Sequence, residues 1–306
     1  MSASTSPESE LDPPDWLAWF DGQFLRAEEV ALPARSPWAL YGESVFETIA
    51  VLEGELGFER EHADRLERAA ASVLQRKLDS SKVFGAAREL AERLGHPAMA
   101  LRVTLACAES GGLHQLIQAR PLRRFAAPGL HDEHRAGVSL FVPGGELAEL
   151  ARGGPSGFKH GARLGLRLAR RAALEQGAFD AALLGKDGLP ACGTIGNLIV
   201  LQGGVLSTPP LESGALPGIA RAALLGDQTA GLGLVERVLT PQEWATVEGL
   251  WLVGSVLGVA PVTKLGGAAY RDFPSSGDLP GSQDEPLEAL RRALDSAERV
   301  SRGKPR

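Results

Sequence analysis

The stretch from Ser156 to Gln202 constrains this chain more than any other. A lysine, Lys159, follows Ser156-Gly157-Phe158 and stands two residues before Gly161. An amphipathic run, Arg163 to Gln176, comes next and stops at Gly177, which tolerates the left-handed conformation that ends helices. Then come an apolar strand, Ala181–Leu184, a turn at Lys186-Asp187-Gly188, a small-residue loop ending at Asn197, and a second apolar strand, Leu198–Gln202. A lysine between glycines, delivered just ahead of a helix and backed by two buried strands, points to an enzyme that uses an amine.

Composition narrows the field. A chain of 306 residues has room for two domains and enough apolar content for a core. A net charge of −6 favours neither nucleic acid nor an anionic membrane as partner. The arginines at 163, 167, 170 and 171 lie at helical spacing and read first as a solvated face. The two cysteines, Cys107 and Cys192, form no CxxC and no Cys/His cluster, so neither a metal site nor a disulfide scaffold is expected. They are compatible with a reducing cytosol, and a cytoplasmic protein is expected. Residues 1–14 are polar and rich in Pro, Ser and Glu, and read as a disordered tail rather than a signal peptide. No apolar run reaches 18 residues, so no membrane span is expected.

The remaining chain reads as mixed strands and helices. A hairpin turns at Asp21-Gly22, and Val45, Ile49 and Val51 give β-branched character to a strand from Tyr41 to Leu52. Two helices are expected, from His62 to Gln75 and from Ser80 to Leu94. Ala98–Ala106 reads as a buried strand carrying Arg102, and Gln115–Ala119 as the next. Val138–Val142 reads as a strand, and Gly144–Gly157 as irregular. A helix runs to Gly226 from the Pro217-Gly218 step. Val235–Leu239 and Leu250–Ser255 read as strands, Pro241–Ala245 as a turn or helical start, and Pro286–Val300 as a last amphipathic helix. The expected division is a tail (1–14), a small α/β domain (15–125), a linker (126–136), a larger domain (137–272) and a C-terminal extension with a helix (273–306). No internal repeat is evident.

Several segments, in this order, resemble the class IV (fold type IV) pyridoxal-phosphate enzymes: branched-chain aminotransferases, D-amino-acid transaminases and aminodeoxychorismate lyases. They are Gly42-Glu43-Ser44-Val45-Phe46-Glu47-Thr48, His62-Ala63-Asp64-Arg65-Leu66, Leu101-Arg102-Val103-Thr104, Lys159-His160-Gly161-Ala162-Arg163-Leu164, Asp187-Gly188 through Asn197-Leu198, Thr208-Pro209-Pro210, Leu216-Pro217-Gly218-Ile219-Ala220-Arg221 and Gly254 through Val262. Arginine at 163, where the aminotransferases usually carry tyrosine, makes the lysine motif most similar to the aminodeoxychorismate lyases. The resemblance implies an α+β fold of two domains, a small α/β sandwich and a larger pseudo-barrel, with the cofactor between them. It also implies pyridoxal 5'-phosphate as cofactor, a small-molecule amino substrate and a homodimer.

The resemblance assigns roles to residues. Lys159 holds the cofactor aldehyde as a Schiff base and carries protons. Arg65 meets the phosphate, although from the residues alone it serves equally as a solvent-facing helix residue. The amides of Gly218, Ile219 and Ala220 open a helix toward the same phosphate. Ala220 lacks the hydroxyl usual in the family. Thr194, Asn197, Ser255 and Val256 supply further cofactor contacts. Arg102 and Arg163 are candidates for substrate carboxylates, with a structural ion pair and a solvated helix face as their plainer readings. Tyr41 and Glu47 read as packing and local hydrogen-bonding groups, and His160 has no assigned role.

The largest departure is Cys192. The family places a glutamate five residues before the asparagine, where it keeps the cofactor's pyridine nitrogen protonated. A neutral thiol supplies no charge, so the electron sink weakens. That weakening harms amino transfer more than an elimination whose product is aromatic. The expected function is therefore a lyase converting 4-amino-4-deoxychorismate to 4-aminobenzoate and pyruvate in folate biosynthesis. The alternatives are a class IV amino-acid aminotransferase and a non-catalytic relative.

Overall fold

The computed structural model describes residues 16–122, 124–125, 137–151, 157–185, 188–226, 232–244, 246–267, 277–278 and 284–303. The expected tail at 1–14, the linker at 126–136 and the turn residues Lys186 and Asp187 lie outside them. The chain divides into two compact units: Met1–Arg123 with Lys159–Ala162, and Arg124–Phe158 with Arg163–Arg306.

Among the described residues, the first unit carries β1 (Leu17–Phe20), β2 (Gln23–Arg26), α1 (Pro37–Tyr41), β3 (Ser44–Leu52), β4 (Glu55–Leu56), α2 (Glu59–Val73), α3 (Ser81–Leu94), β5 (Ala98–Cys107) and β6 (Leu113–Pro121). Its six-stranded sheet has the order β2-β1-β6-β5-β3-β4. Side chains alternate across a strand. On β3 and β5 one alternating set, Val45, Ile49, Val51, Met99, Leu101, Val103 and Leu105, is wholly buried. Leu66 and Ala70 of α2, one turn apart, are also fully buried. The opposite set contains Phe46, Thr48, Arg102 and Thr104, with Thr48 directly opposite Arg102 and Phe46 opposite Thr104.

The four residues Lys159–Ala162 belong to this unit because β3 holds them by backbone bonds. Val45 bridges His160 in antiparallel fashion. Phe46 N donates to Lys159 O at 2.9 Å, and Gly161 N donates to Ser44 O at 2.7 Å. Gly161 is required by space rather than by conformation. A Cβ there would stand 2.0 Å from Ser44 Oγ and 2.7 Å from Gly42 O.

The second unit carries β7 (Val138–Phe141), α4 (Gly145–Ala151), α5 (Leu164–Glu175), β8 (Asp180–Leu184), β9 (Pro190–Gly193), β10 (Asn197–Gln202), β11 (Val205–Thr208), α6 (Ile219–Leu225), β12 (Val235–Glu236), α7 (Pro241–Trp244), β13 (Gly249–Gly254), β14 (Gly258–Gly266), β15 (Gly277–Asp278) and α8 (Asp284–Ser301). Its sheet among the described residues follows β12-β11-β10-β13-β14-β7-β8-β9, with β15 on β14. Strand β9 also pairs with β10, Cys192 opposite Asn197, so the run from β10 through β13, β14, β7 and β8 to β9 closes on itself. Closure removes two sheet edges. Leu140, Ala182, Leu198, Val200, Leu252 and Ala260 are part of the apolar cluster of this unit.

The α+β architecture is the expected one. Several elements differ in detail. Residues 145–151 form α4 where irregular chain was expected. Glu146 through Ala151 are good helix formers, and Ala148 and Ala151 bury one short face. Helix α1 went unread because it is five residues long. Ser36 caps it, its Oγ accepting from Ala39 N at 3.2 Å, and Pro37 suits the first turn. Strand β9 replaces part of an expected loop, and the strand expected over 235–239 shortens to β12.

Gly161→Ala should lower stability by about 1–3 kcal/mol, the usual cost of forcing a methyl group into filled space. Urea unfolding read by tryptophan fluorescence checks this, and an unchanged midpoint would refute the steric reading.

Candidate active site

In the first unit the site is built on β3. Two cations approach the ring of buried Phe46: Arg102 Cζ lies 3.6 Å from its centroid and Lys159 Nζ 5.1 Å. The ring face attracts positive charge, which positions both groups. Arg102 Nε also donates to Thr104 Oγ1 at 3.3 Å. Arg102 and Lys159 thus approach the same ring.

Glu47, the next residue along β3, turns to α2. There His62 and Arg65, spaced to share a helix face, converge on it. Arg65 grips the carboxylate with two bonds, Nε to Oε1 and Nη2 to Oε2, both 2.6 Å. His62 Nδ1 lies 2.8 Å from Oε2. Glu47 and His62 are 1% and 0% exposed. Burial alone would raise the Glu47 pKa, but the His62 hydrogen bond and the Arg65 charge and bonds carry it down to about 2. His62 moves down as well. Burial leads, and the charges of Arg65 and Lys159 add to it against the pull of Glu47. The imidazole is thus neutral and donates from Nδ1. Its buried Nε2 has no hydrogen-bond partner among the described residues.

In the second unit the loop after β9 is held by Asp180, which is fully buried. Its carboxylate accepts from Thr194 N at 2.9 Å, Ile195 N at 3.3 Å, Arg170 Nη1 at 3.1 Å and the Thr194 hydroxyl. Burial still pushes its pKa up, against Arg170 and Thr194. Arg163 is half-buried, and its Nη2 donates to Thr194 O at 3.0 Å. It does not lie on a solvated face. Burial lowers its pKa, while the nearby Asp180 and Cys192 oppose that change. Cys192 is buried, and burial, aided by the nearby Asp180 carboxylate, raises its thiol to about 11 despite a backbone hydrogen bond from Leu216 and the weaker effect of the Arg163 charge. The thiol is neutral at physiological pH.

Asn197 and the Gly218 segment are locked together. Asn197 Nδ2 donates to Leu216 O at 2.8 Å, and a Cβ on Gly218 would fall 1.9 Å from Asn197 Oδ1. Ile219 and Ala220 follow as the buried start of α6. Ser255 and Val256 sit in the turn joining β13 to β14. Gly254, at its edge, would bring a Cβ to 3.4 Å from Ile195 O. The expected cofactor residues of this unit thus lie on three neighbouring segments.

The sequence profile described as amino-transferase class IV matches residues 44–265, which span all of these segments. This chain belongs to the class IV amino-transferase family. It is similar to the branched-chain-amino-acid aminotransferase of Salmonella typhimurium, 26% identical over 266 residues, covering 81% of this chain and 84% of that one. It is likewise similar to the aminodeoxychorismate lyase of Bacillus subtilis, 24% identical over 262 residues, covering 81% and 86%. Its fold matches a hypothetical aminotransferase from Mycobacterium tuberculosis in PLP-bound form, with a TM-score of 0.77, 22% identity, and coverage of 94% of this chain and 100% of that one.

Three residues of this class IV chain carry more than the sequence reading gave them. Glu47 is the hub of a buried charge cluster rather than a minor hydrogen-bonding group. His62 and Asp180 received no individual role. The signals were present: an acid in the middle of an apolar strand, His62 and Arg65 three apart on a helix, and an acid opening the apolar strand β8.

Glu47 gives a pH signature. Its folded pKa is depressed, so its contribution is complete above the ordinary value near 4.5 and is lost as pH falls toward about 2. Glu47→Gln should cost about 3–5 kcal/mol at neutral pH, because it leaves the buried Arg65 charge without its main counterion. The gap from wild type should narrow as pH falls through that window. Denaturant unfolding at pH 7 and pH 3 measures it, and a constant gap would contradict the assignment.

Proposed function

We propose that this chain is a pyridoxal-phosphate-dependent lyase that converts 4-amino-4-deoxychorismate to 4-aminobenzoate and pyruvate, a step of folate biosynthesis. The observation that carries the choice of lyase is the buried, neutral thiol of Cys192 opposite Asn197. Arginine at 163 in the lysine motif supports it.

The residues fit most of the cofactor. An amine, Lys159, stands within reach of the same ring as a guanidinium, Arg102. A second guanidinium, Arg65, has its plane fixed by the Glu47 carboxylate, which suits directed anion binding. In the second unit, the backbone amides of Gly218, Ile219 and Ala220 at the start of α6 are the donors proposed for a phosphate, and Ser255 and Val256 are proposed as further cofactor contacts. Ala220 adds no hydroxyl. Asn197 holds the Gly218 segment, and Thr194 holds the loop after Cys192. At Cys192 itself the fit fails for the family's charged contact with the pyridine nitrogen.

When bound, pyridoxal phosphate supplies an aldehyde that takes up an amine and a ring that draws electrons from the neighbouring carbon. Lys159 then serves as the base that removes the proton from the carbon bearing the substrate amine. The electron pair left behind expels the enolpyruvyl oxygen from the adjacent carbon, so the ring becomes aromatic, and the departing enolpyruvate takes a proton at its methylene carbon, balancing the one Lys159 removed, to become pyruvate. Substrate and the two products have the same atoms, and no oxidant or reductant is needed. Arg102 binds a substrate carboxylate and so holds the carbon near Lys159 Nζ.

A second reading is amino transfer between an amino acid and a 2-oxo acid, favoured by the similarity to the branched-chain aminotransferase. A third is a non-catalytic relative, favoured only by Cys192. We place the protein in the cytoplasm, consistent with two free cysteines and with no described helix long and apolar enough to cross a membrane. We propose a homodimer. Leu40 and Tyr41 of α1, 58% and 68% exposed, offer apolar surface for the contact.

Purified protein given cofactor and 4-amino-4-deoxychorismate should release 4-aminobenzoate and pyruvate in equal amounts, and Lys159→Ala should reduce the rate roughly 10²–10⁴-fold. Conversion of the bound aldehyde to its amine form by glutamate, without those products, would establish the aminotransferase reading instead. Arg102→Met should raise KM roughly 10- to 100-fold with a smaller change in kcat, the size expected for losing a hydrogen bond to a charged group. An unchanged KM would remove Arg102 from the substrate site.

A further inference from the structure

The C-terminal helix α8 carries a buried ion pair that the proposed reaction does not use. Leu287, Leu290, Leu294 and Ala297 recur at helical spacing and form its buried face, and the helix packs against β14 and α6. From the same helix Glu298, 4% exposed, meets two arginines. Arg124 Nη2 lies 2.6 Å from its Oε2 and Arg302 Nη2 2.9 Å from its Oε1. Arg124 is also buried, and its Nη2 lies 3.3 Å from Asp295 Oδ1. Burying both members of an ion pair costs desolvation that their attraction only roughly offsets. Apolar side chains would serve general stability as well, so the distinct contribution of the pair is a fixed geometry.

What Arg124 fixes is a turn. Strands β13 and β14 pair as far as Gly254 opposite Gly258, so Ser255, Val256 and Leu257 make the connection between them. Phe125 N donates to Leu257 O at 2.9 Å. Gly258, at φ +76°, lies against the same segment: a Cβ there would stand 3.1 Å from Arg124 Cγ and 3.2 Å from Phe125 O. Residues 124–125 are thus bonded to the turn through the main chain and to α8 through the Arg124 side chain. All of these residues belong to the second unit. Resting on the proposed reading, in which Ser255 and Val256 contact pyridoxal phosphate, we infer that Arg124 is a positioning residue. It ties the turn between β13 and β14 to α8, and the tie raises the affinity for the cofactor.

The physical link is conformational entropy. The tip of a hairpin opens more easily than the strands that carry it. A contact made by a turn that is already ordered loses less freedom on binding than one made by a mobile turn. The tie to α8 orders Ser255 and Val256 before any ligand arrives, because Leu257 and Gly258, which follow them, rest on a segment anchored in a buried helix face. The C-terminal extension therefore acts on binding without touching the ligand.

The experiment uses the full chain, with pyridoxal phosphate as the probe. Borohydride reduction and peptide mapping first locate the cofactor in wild type. Arg124→Met and Glu298→Gln, at the two ends of the ion pair, are then compared with wild type well below each unfolding midpoint. Glu298→Gln preserves side-chain volume and carries the test if Arg124→Met does not fold. Hydrogen exchange should rise over residues 254–258 more than in the rest of the second unit. The Kd for pyridoxal phosphate should rise about 10-fold, the size of one charge-assisted hydrogen bond. A label on Lys159 with an unchanged Kd in the variants overturns the inference and leaves the site reading intact. A raised Kd with exchange increased evenly across the unit makes the pair a general stabiliser and also overturns it. No label on Lys159 in wild type overturns the site reading and the inference together.

Discussion

The pairing of Lys159–Ala162 with the start of β3 is the constraint on which the candidate site depends. Two backbone hydrogen bonds, which together make one antiparallel bridge, take four residues out of the sequence context of the second unit and fasten them to the first. The lysine's position is then set by the main chain. The same strand presents Phe46 to the lysine and Arg102, and presents Glu47 to His62 and Arg65. Successive residues of one strand face opposite ways, so a single stretch of β3 organises groups on both of its faces. Glycine at 161 is the condition for this closeness.

The two units each bury one carboxylate, and the two behave differently. Glu47 is gripped by a guanidinium with two bonds and contacted by a histidine, and it remains charged to low pH. Asp180 is shared among amides, a hydroxyl and one arginine, and burial wins, so its pKa rises. The difference follows from partner type. A guanidinium bonded through two nitrogens offsets desolvation at Glu47, where a single arginine bond and neutral donors do not at Asp180. Glu47 is suited to fixing another charge in place, and Asp180 to shaping the loop that carries Thr194 and Ile195.

Much of the fold was legible because long elements carry strong patterns. The helices α2, α3 and α8 and the strands β3, β5 and β10 all emerge from apolar periodicity. Elements whose stability comes from caps or partners were not legible. Helix α1 exists through the Ser36 cap and Pro37, and β9 exists because β8 and β10 flank it. The family residues themselves stood in order in the sequence, so Lys159, Arg65, Arg102 and Cys192 could be named. Their partners could not. Nothing in the spacing says that Arg65 meets an acid eighteen residues earlier on another element, or that Arg163 turns inward to a carbonyl thirty-one residues later.

Position 192 also explains how such a departure is tolerated. The barrel of the second unit closes where Cys192 pairs with Asn197, and that seam is made by main-chain atoms. The Cys192 side chain is not needed to hold it. Asn197, across the seam, has the opposite status, since its amide ties down Leu216 and leaves room only for glycine at 218. A substitution at 197 therefore disturbs the Leu216–Gly218 segment, whereas one at 192 leaves the main-chain seam in place. A seam made by main-chain atoms ties the architecture to the side chain of one residue of the pair and leaves the other open to change.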